Sequence, residues 1–128
     1  MKFLNKNFNE LETFAKSKNK EYINSSPFPH IVIDNFFNET ILNNILSEFP
    51  KNLDNIGYQY KTKVEQKKFT LNDSKLLSEN TSNFINFLNS QIFLDFLQTL
   101  TGINEKLQSD PYLQGGGLHE LRNDGYLN

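Results

Sequence analysis

Asp110-Pro111-Tyr112-Leu113-Gln114-Gly115-Gly116-Gly117-Leu118-His119-Glu120-Leu121-Arg122-Asn123-Asp124-Gly125-Tyr126-Leu127-Asn128 is the stretch on which the fold assignment turns. It holds four of the six glycines of the 128-residue chain. Residues 117–122 read as a strand. Asn123-Asp124-Gly125 then reads as a hairpin turn, because a Gly after Asn or Asp supplies the positive φ that such turns demand. Tyr126 would open the return strand, of which three residues are present. A strand broken off that early leaves a row of unpaired backbone groups. The expectation is therefore a chain cut within a sheet, prone to self-association through its unpaired strands.

Upstream of this stretch, two helices are predicted over 82–89 and 91–100. Phe84, Phe87 and Leu88 mark the first, Phe93, Phe96, Leu97 and Leu100 the second, and Gly102 is the stop signal. Residues 65–80 are polar and weakly patterned, which predicts a loop containing a short helix near Asn72-Asp73-Ser74. Over 58–64, Tyr58, Tyr60, Thr62 and Val64 alternate with Gln59, Lys61 and Lys63, the period of a strand with one wet face. Helix 39–49 follows an Asn38 cap and ends at Pro50, with Ile41, Leu42, Ile45, Leu46 and Phe49 on its apolar side. Pro27 and Pro29 hold the chain extended into His30-Ile31-Val32-Ile33-Asp34, read as a strand covered on both faces because three successive residues are apolar. Residues 7–20 read as an amphipathic helix carrying Phe8, Leu11, Phe14 and Ala15.

Composition narrows the function classes. Thirteen Lys plus Arg stand against 15 Asp plus Glu, a net charge of −2, and the single Arg is Arg122. Lysine is a poor bidentate partner for phosphate, so a nucleic-acid surface is not expected. No cysteine is present, which removes disulfide scaffolds and thiolate chemistry and fits a reducing, cytoplasmic setting. The longest apolar runs are three residues, Ile31-Val32-Ile33 and Ile92-Phe93-Leu94, against roughly 20 for a membrane span. With no repeat and no linker composition, residues 1–128 are expected to form one incomplete domain, 1–26 being an N-terminal helical region.

Pro27-Phe28-Pro29-His30-Ile31-Val32-Ile33-Asp34-Asn35-Phe36-Phe37, the Phe49-Pro50 helix end, Phe93 to Gly102, and Asp110-Pro111-Tyr112 through Gly115-Gly116-Gly117-Leu118-His119-Glu120 together resemble one family. It is the iron(II)- and 2-oxoglutarate-dependent oxygenases of the prolyl 4-hydroxylase-like type, and the resemblance covers the chain from about residue 27. It implies an α+β fold: a helical layer packed on the opening strands of a double-stranded β-helix of jelly-roll or cupin type. It further implies Fe(II) and 2-oxoglutarate as cofactors of the parent dioxygenase, which couples decarboxylation of 2-oxoglutarate to hydroxylation of a prolyl, amino-acid or small-molecule C–H bond. The family's His-x-Asp motif would begin within about two to four positions beyond Asn128. None of the metal or cosubstrate ligands therefore falls on this sequence, and the 128 residues alone are expected to be inactive and to bind neither group. The alternative is a non-catalytic interaction module that keeps the helical layer for partner binding.

His119 and Tyr126 are the candidate pocket-lining residues, being nearest to where the family's iron site begins. The competing reading of His119, a lone His sharing a half-apolar strand face with Leu121, is a hydrogen-bonded packing residue; the same holds for His30. Two histidines without paired spacing make no metal site. Glu120 falls on the opposite face, and Asp124 is a turn former. Gly115-Gly116-Gly117 lacks the Lys-Ser or Lys-Thr and the helix of a phosphate loop, so it is read as permitting a bulge or close strand approach. Lys61, Lys63, Lys67 and Lys68, around Glu65 and Phe69, are read as a solvated face. Tyr58 and Tyr60 are read as core or pocket wall.

Overall fold

The computed structural model describes residues 2–53, 56–61 and 65–127. Four helices and a three-stranded antiparallel sheet account for its regular structure: α1 (Leu11–Asn24), α2 (Glu39–Glu48), β1 (Tyr58–Lys61), β2 (Glu65–Leu71), α3 (Glu79–Leu88), α4 (Gln91–Thr101) and β3 (Leu118–Leu127). No helix among the described residues is long and apolar enough to cross a membrane.

The helices gather around phenylalanine. Leu4, Leu11, Ala15, Phe36, Phe87, Phe93, Phe96 and Leu100 form one buried cluster, with Phe3, Phe8, Phe14 and Phe37 packed against it. Aromatic rings fill such a space at centroid separations of about 4.5–7 Å, and Phe36 lies within 6.5 Å of five other rings. Phe87, Phe93 and Phe96, apolar markers of the two helices predicted over 82–89 and 91–100, lie in this core, and Phe84 meets the Phe3 and Phe37 rings. Several helix ends are satisfied by specific side chains or by glycine. Asn38 Oδ1 accepts from the Thr40 and Ile41 N–H groups at 2.9 and 3.3 Å, as the sequence predicts. Gly102 closes α4 at φ 74° and donates its N–H to Gln98 O, the left-handed stop that glycine adopts without a Cβ penalty. Asn19 of α1 donates to the Thr99 and Leu100 carbonyls at 3.2 and 3.0 Å, joining the last turn of α4 to α1.

Glu48 performs the corresponding service at the start of α3. Its carboxylate accepts from the Asn80 N–H at 3.3 Å and from Asn80 Nδ2 at 2.5 Å. Hydrogen bonds from the Ser78 and Asn80 side chains hold its carboxyl below the ordinary range, since they favour the charged form. A depressed folded-state value means that the contribution to stability is present above the ordinary carboxyl range and is lost as pH falls through the lower folded value. Glu48→Gln is therefore expected to melt with a shallower acid limb than wild type below about pH 4.3, as read by thermal melts across that range.

The structure corrects several of these expectations. Residues 30–34 form no strand: Ile31 and Ile33 pack on the helical core, but Val32 is 79% exposed. Residues 26–29, which hold both prolines, form a run of bends, and among the described residues no strand pairs with 30–34, so side-chain alternation alone orients the segment. The helix predicted over 7–20 begins at Leu11, after a 3₁₀ turn at Lys6–Phe8 that Asn5 caps, and runs on to Asn24. Residues 65–71 are the central strand of the sheet rather than loop; the short helix expected after them is a 3₁₀ turn at Ser74–Leu76. The strand predicted over 58–64 is seen over Tyr58–Lys61, its remainder lying outside the described residues. Its burial does not follow the predicted wet and packed faces, for Tyr58 is 65% exposed while Gln59 and Tyr60 are both half-buried.

The tail departs furthest from its prediction. In place of a strand, a turn and a return, β3 runs continuously and pairs with β2 on both sides of a bulge, from Leu71↔Leu118 to Lys68↔Leu121 and again at Gln66↔Tyr126 and Glu65↔Leu127. The register breaks between Gln66↔Tyr126 and Lys68↔Leu121, so that residues 122–125 stand opposite Lys67 alone. Asp124, at φ 61°, takes the left-handed conformation expected of Gly125; a short polar side chain tolerates it. Lys67, at φ 54°, donates from Nζ to Asn123 O at 3.1 Å and lies 3.5 Å from Asp124 Oδ2. The turn chemistry is present in the residues, but the long partner strand β2 turns it into a bulge.

Candidate functional site

The sheet has two unlike faces. One carries Phe69, Leu71 and Leu118 against Leu53 and Leu77, a second apolar cluster separate from the helical one. Glu120 and Arg122 extend this packed face. The Leu53 N–H donates to Glu120 Oε2 at 3.4 Å, Arg122 Nε donates to Glu120 Oε1 at 2.7 Å, and Arg122 Nη2 donates to Asn52 Oδ1 at 2.9 Å. The guanidinium carbon sits 4.2 Å from the centre of the Phe69 ring, a cation–π contact of the kind arginine favours. A hollow of about 560 Å³ beside these residues is lined by Gln59, Lys67, Phe69, Glu120, Arg122 and their neighbours. Sequence reasoning assigned Arg122 no place. Its signal was the period-two spacing Leu118, Glu120, Arg122, which puts an opposite-charge pair on the apolar face of β3.

The opposite face is the more exposed of the two, although Thr70 at its centre is buried. Two cross-strand rows build it: Tyr58, Thr70 and His119, then Tyr60, Lys68 and Leu121. The Tyr58 and Tyr60 rings meet edge to face at 5.0 Å, and Lys68 Nζ stands 5.1 Å from the Tyr60 centroid. Tyr58 is thus no core residue, while Leu121 is 56% exposed. His119 lies exposed on this face beside Leu121, with Glu120 behind it, as the alternation predicts. Tyr126 lies past the bulge, opposite Gln66, and is 37% exposed. Neither His119 nor Tyr126 lines the hollow beside Arg122. Lys67 and Lys68 are solvated or half-buried, whereas Phe69 between them is buried and faces the packed side.

The glycine run meets β2 at its entry into β3. A Cβ on Gly117 would lie 2.6 Å from Leu71 O, which is the close strand approach expected of this run. Ahead of it, Asp110 Oδ1 accepts from the Gln114 N–H at 2.8 Å and Oδ2 from the Gly115 N–H at 2.7 Å. The carboxylate of the chain itself thereby occupies donors that a phosphate loop would offer to a ligand. Asn89, at the end of α3, accepts from the Asp110 N–H at 2.6 Å and ties this loop to the helical layer.

A second and larger hollow, about 1340 Å³, runs between α1 and α4 and is lined by Glu10, Glu12, Lys16, Asp95, Gln98 and neighbouring residues, none of them on the sheet. His30 lies apart, exposed, with Nδ1 2.8 Å from the Phe28 carbonyl oxygen. Among the described residues no three His, Cys, Asp or Glu side chains gather to hold a metal ion. No family model, curated protein or solved structure matches the chain.

Proposed function

We propose that this chain supplies the helical support layer and first strands of a dioxygenase scaffold built as a double-stranded β-helix. Within that class the reading is an iron(II)- and 2-oxoglutarate-dependent enzyme of the prolyl 4-hydroxylase-like type. One observation carries it: an antiparallel sheet packs one face on Leu53 and Leu77 and leaves the other exposed at Tyr58, His119 and Leu121 and partly exposed at Tyr60 and Lys68. A jelly-roll enzyme needs such an inner wall, polar and aromatic, for the remaining strands to close over. In this reading His119 and Tyr126 stand on the strand that leads into the reaction chamber.

Among the described residues no three side chains gather into an iron site, so no step of oxygen chemistry is assigned to them. Their contribution is structural: the sheet, anchored by its apolar face on Leu53 and Leu77, orients the strand that precedes the metal ligands. Substrate is left as a peptidyl or small-molecule C–H bond in the cytoplasm.

The test begins with the reading frame beyond Asn128. His-x-Asp within a few codons, followed by a distant His and a basic residue, is the expected result; a stop codon there overturns the enzyme assignment in favour of an interaction module. The product of the longer frame is expected to form succinate from 2-oxoglutarate with Fe(II). The 128-residue chain is expected to give no saturable heat with either in calorimetry.

A further inference from the structure

β3 lies at the edge of the sheet, pairing with β2 on one side; among the described residues no strand pairs with its other side. Edge strands expose unpaired N–H and C=O groups and recruit further strands unless something blocks them. What distinguishes this edge is its order of side chains. Glu120 and Arg122 flank Leu121, project to the packed face, and form an ion pair at 2.7 Å within the chain, whereas Leu121 projects to the open face and is 56% exposed.

We propose that two copies of this chain pair β3 against β3, antiparallel, about a two-fold axis through Leu121. In a two-fold antiparallel pair centred on a residue, positions equally far on either side face each other. Glu120 of each copy then faces Arg122 of the other, and the same pairing occurs twice by symmetry. Leu121 meets Leu121 on the open face, and His119 meets Asn123. A shift by one residue in either direction would bring Leu121 opposite Glu120 or Arg122, on the wrong face of the pleat, so charge and side-chain alternation select one register. Opposite charges placed face to face add specificity more than affinity. The result is a six-stranded sheet whose two open faces run together through the Leu121 pair. This inference concerns the chain of 128 residues and does not draw on the oxygenase reading.

The experiment is sedimentation equilibrium of the full chain up to millimolar concentration, with charge-reversed variants. Wild type is expected to show a monomer–dimer equilibrium. Glu120→Arg alone and Arg122→Glu alone are each expected to weaken it by about tenfold or more, since like charges then face each other. Each single variant also breaks the ion pair within its own chain, so the deciding arm is an equimolar mixture of the two. One chain then brings two cations to the interface and the other two anions, and a heterodimer is expected although neither variant self-associates. Circular dichroism melts of each variant establish that it folds. A wild-type monomer throughout the range overturns the proposal, as does a mixture no more associated than its components. Leu121→Asp offers an independent arm that leaves the ion pair intact, and its dimer is expected to be lost; retention of full association would also overturn this register.

Discussion

Phe36→Ala is expected to lower the unfolding free energy by about 3–5 kcal/mol, the range for removing a buried phenyl ring from a packed core. The ring stacks at 5.5 Å on Phe96 and meets Phe8 and Phe37 edge-on at 5.0 and 4.9 Å, so its loss opens a cavity touching α1, α4 and the segment that leads into α2. These neighbours are themselves large and held by backbone bonds: the Asn5 N–H donates to Phe36 O and the Asn38 N–H to Phe3 O, both at 2.9 Å. They cannot readily collapse into the space, which puts the effect at the costly end of the range. Urea titration followed by far-ultraviolet circular dichroism measures it. A midpoint unchanged from wild type would mean that the helical cluster does not depend on this ring. Since small domains have only about 5–15 kcal/mol in total, the variant is expected to be partly unfolded at 37 °C.

The second large effect is predicted at Gly117. Its φ of 144° is a conformation that residues with a Cβ rarely adopt, and a Cβ there would stand 2.6 Å from Leu71 O and 3.2 Å from Leu71 C, both backbone atoms of the central strand. Backbone cannot swing aside as a side-chain tip can. Gly117→Ala must therefore strain residue 117 or push β3 off β2 at the Leu71↔Leu118 pair, at a cost of about 2–4 kcal/mol. The two apolar clusters are separate, one under the helices and one under the sheet, and this separation gives the prediction its shape. Amide protection of β2 and β3 is expected to fall while that of α1 and α4 is retained. Uniform loss of protection across both would show that the clusters unfold as one unit.

The helices were legible because each depends on information held within a few residues. Asn38 and Gly102 mark boundaries through their own backbone preferences, and Phe93, Phe96 and Leu100 show the helical period without help from a partner. Strand assignments fared less well for the converse reason. Residues 30–34 have the composition of a buried strand, but a strand exists through its neighbour, and among the described residues none pairs with them. Glu65 to Leu71 look polar and patternless, yet they form the centre of the sheet because β1 and β3 flank them. Tyr58 and Tyr60 show the same limit at the level of faces: their alternation with Gln59 was readable, but which side met the core depended on where Leu53 and Leu77 came to rest.

Of the candidate site, the shared face of His119 and Leu121 and the opposed position of Glu120 follow from alternation along one strand. The role of Arg122 does not, because its partners Asn52 and Phe69 are distant in sequence. The sequence alone determines the helix stops, the phenylalanine-rich core, the glycine that β2 needs beside it and the absence of thiol chemistry, all consequences of single side chains and short spacings. Tertiary structure alone decides that Asn123-Asp124-Gly125 is a bulge rather than a hairpin, which sheet face stays open, and where the charged pair of β3 lies. The physical reason is range: turn and cap energies act over a few residues, whereas strand pairing and sheet burial reward contacts between segments some fifty residues apart, such as Lys68 with Leu121.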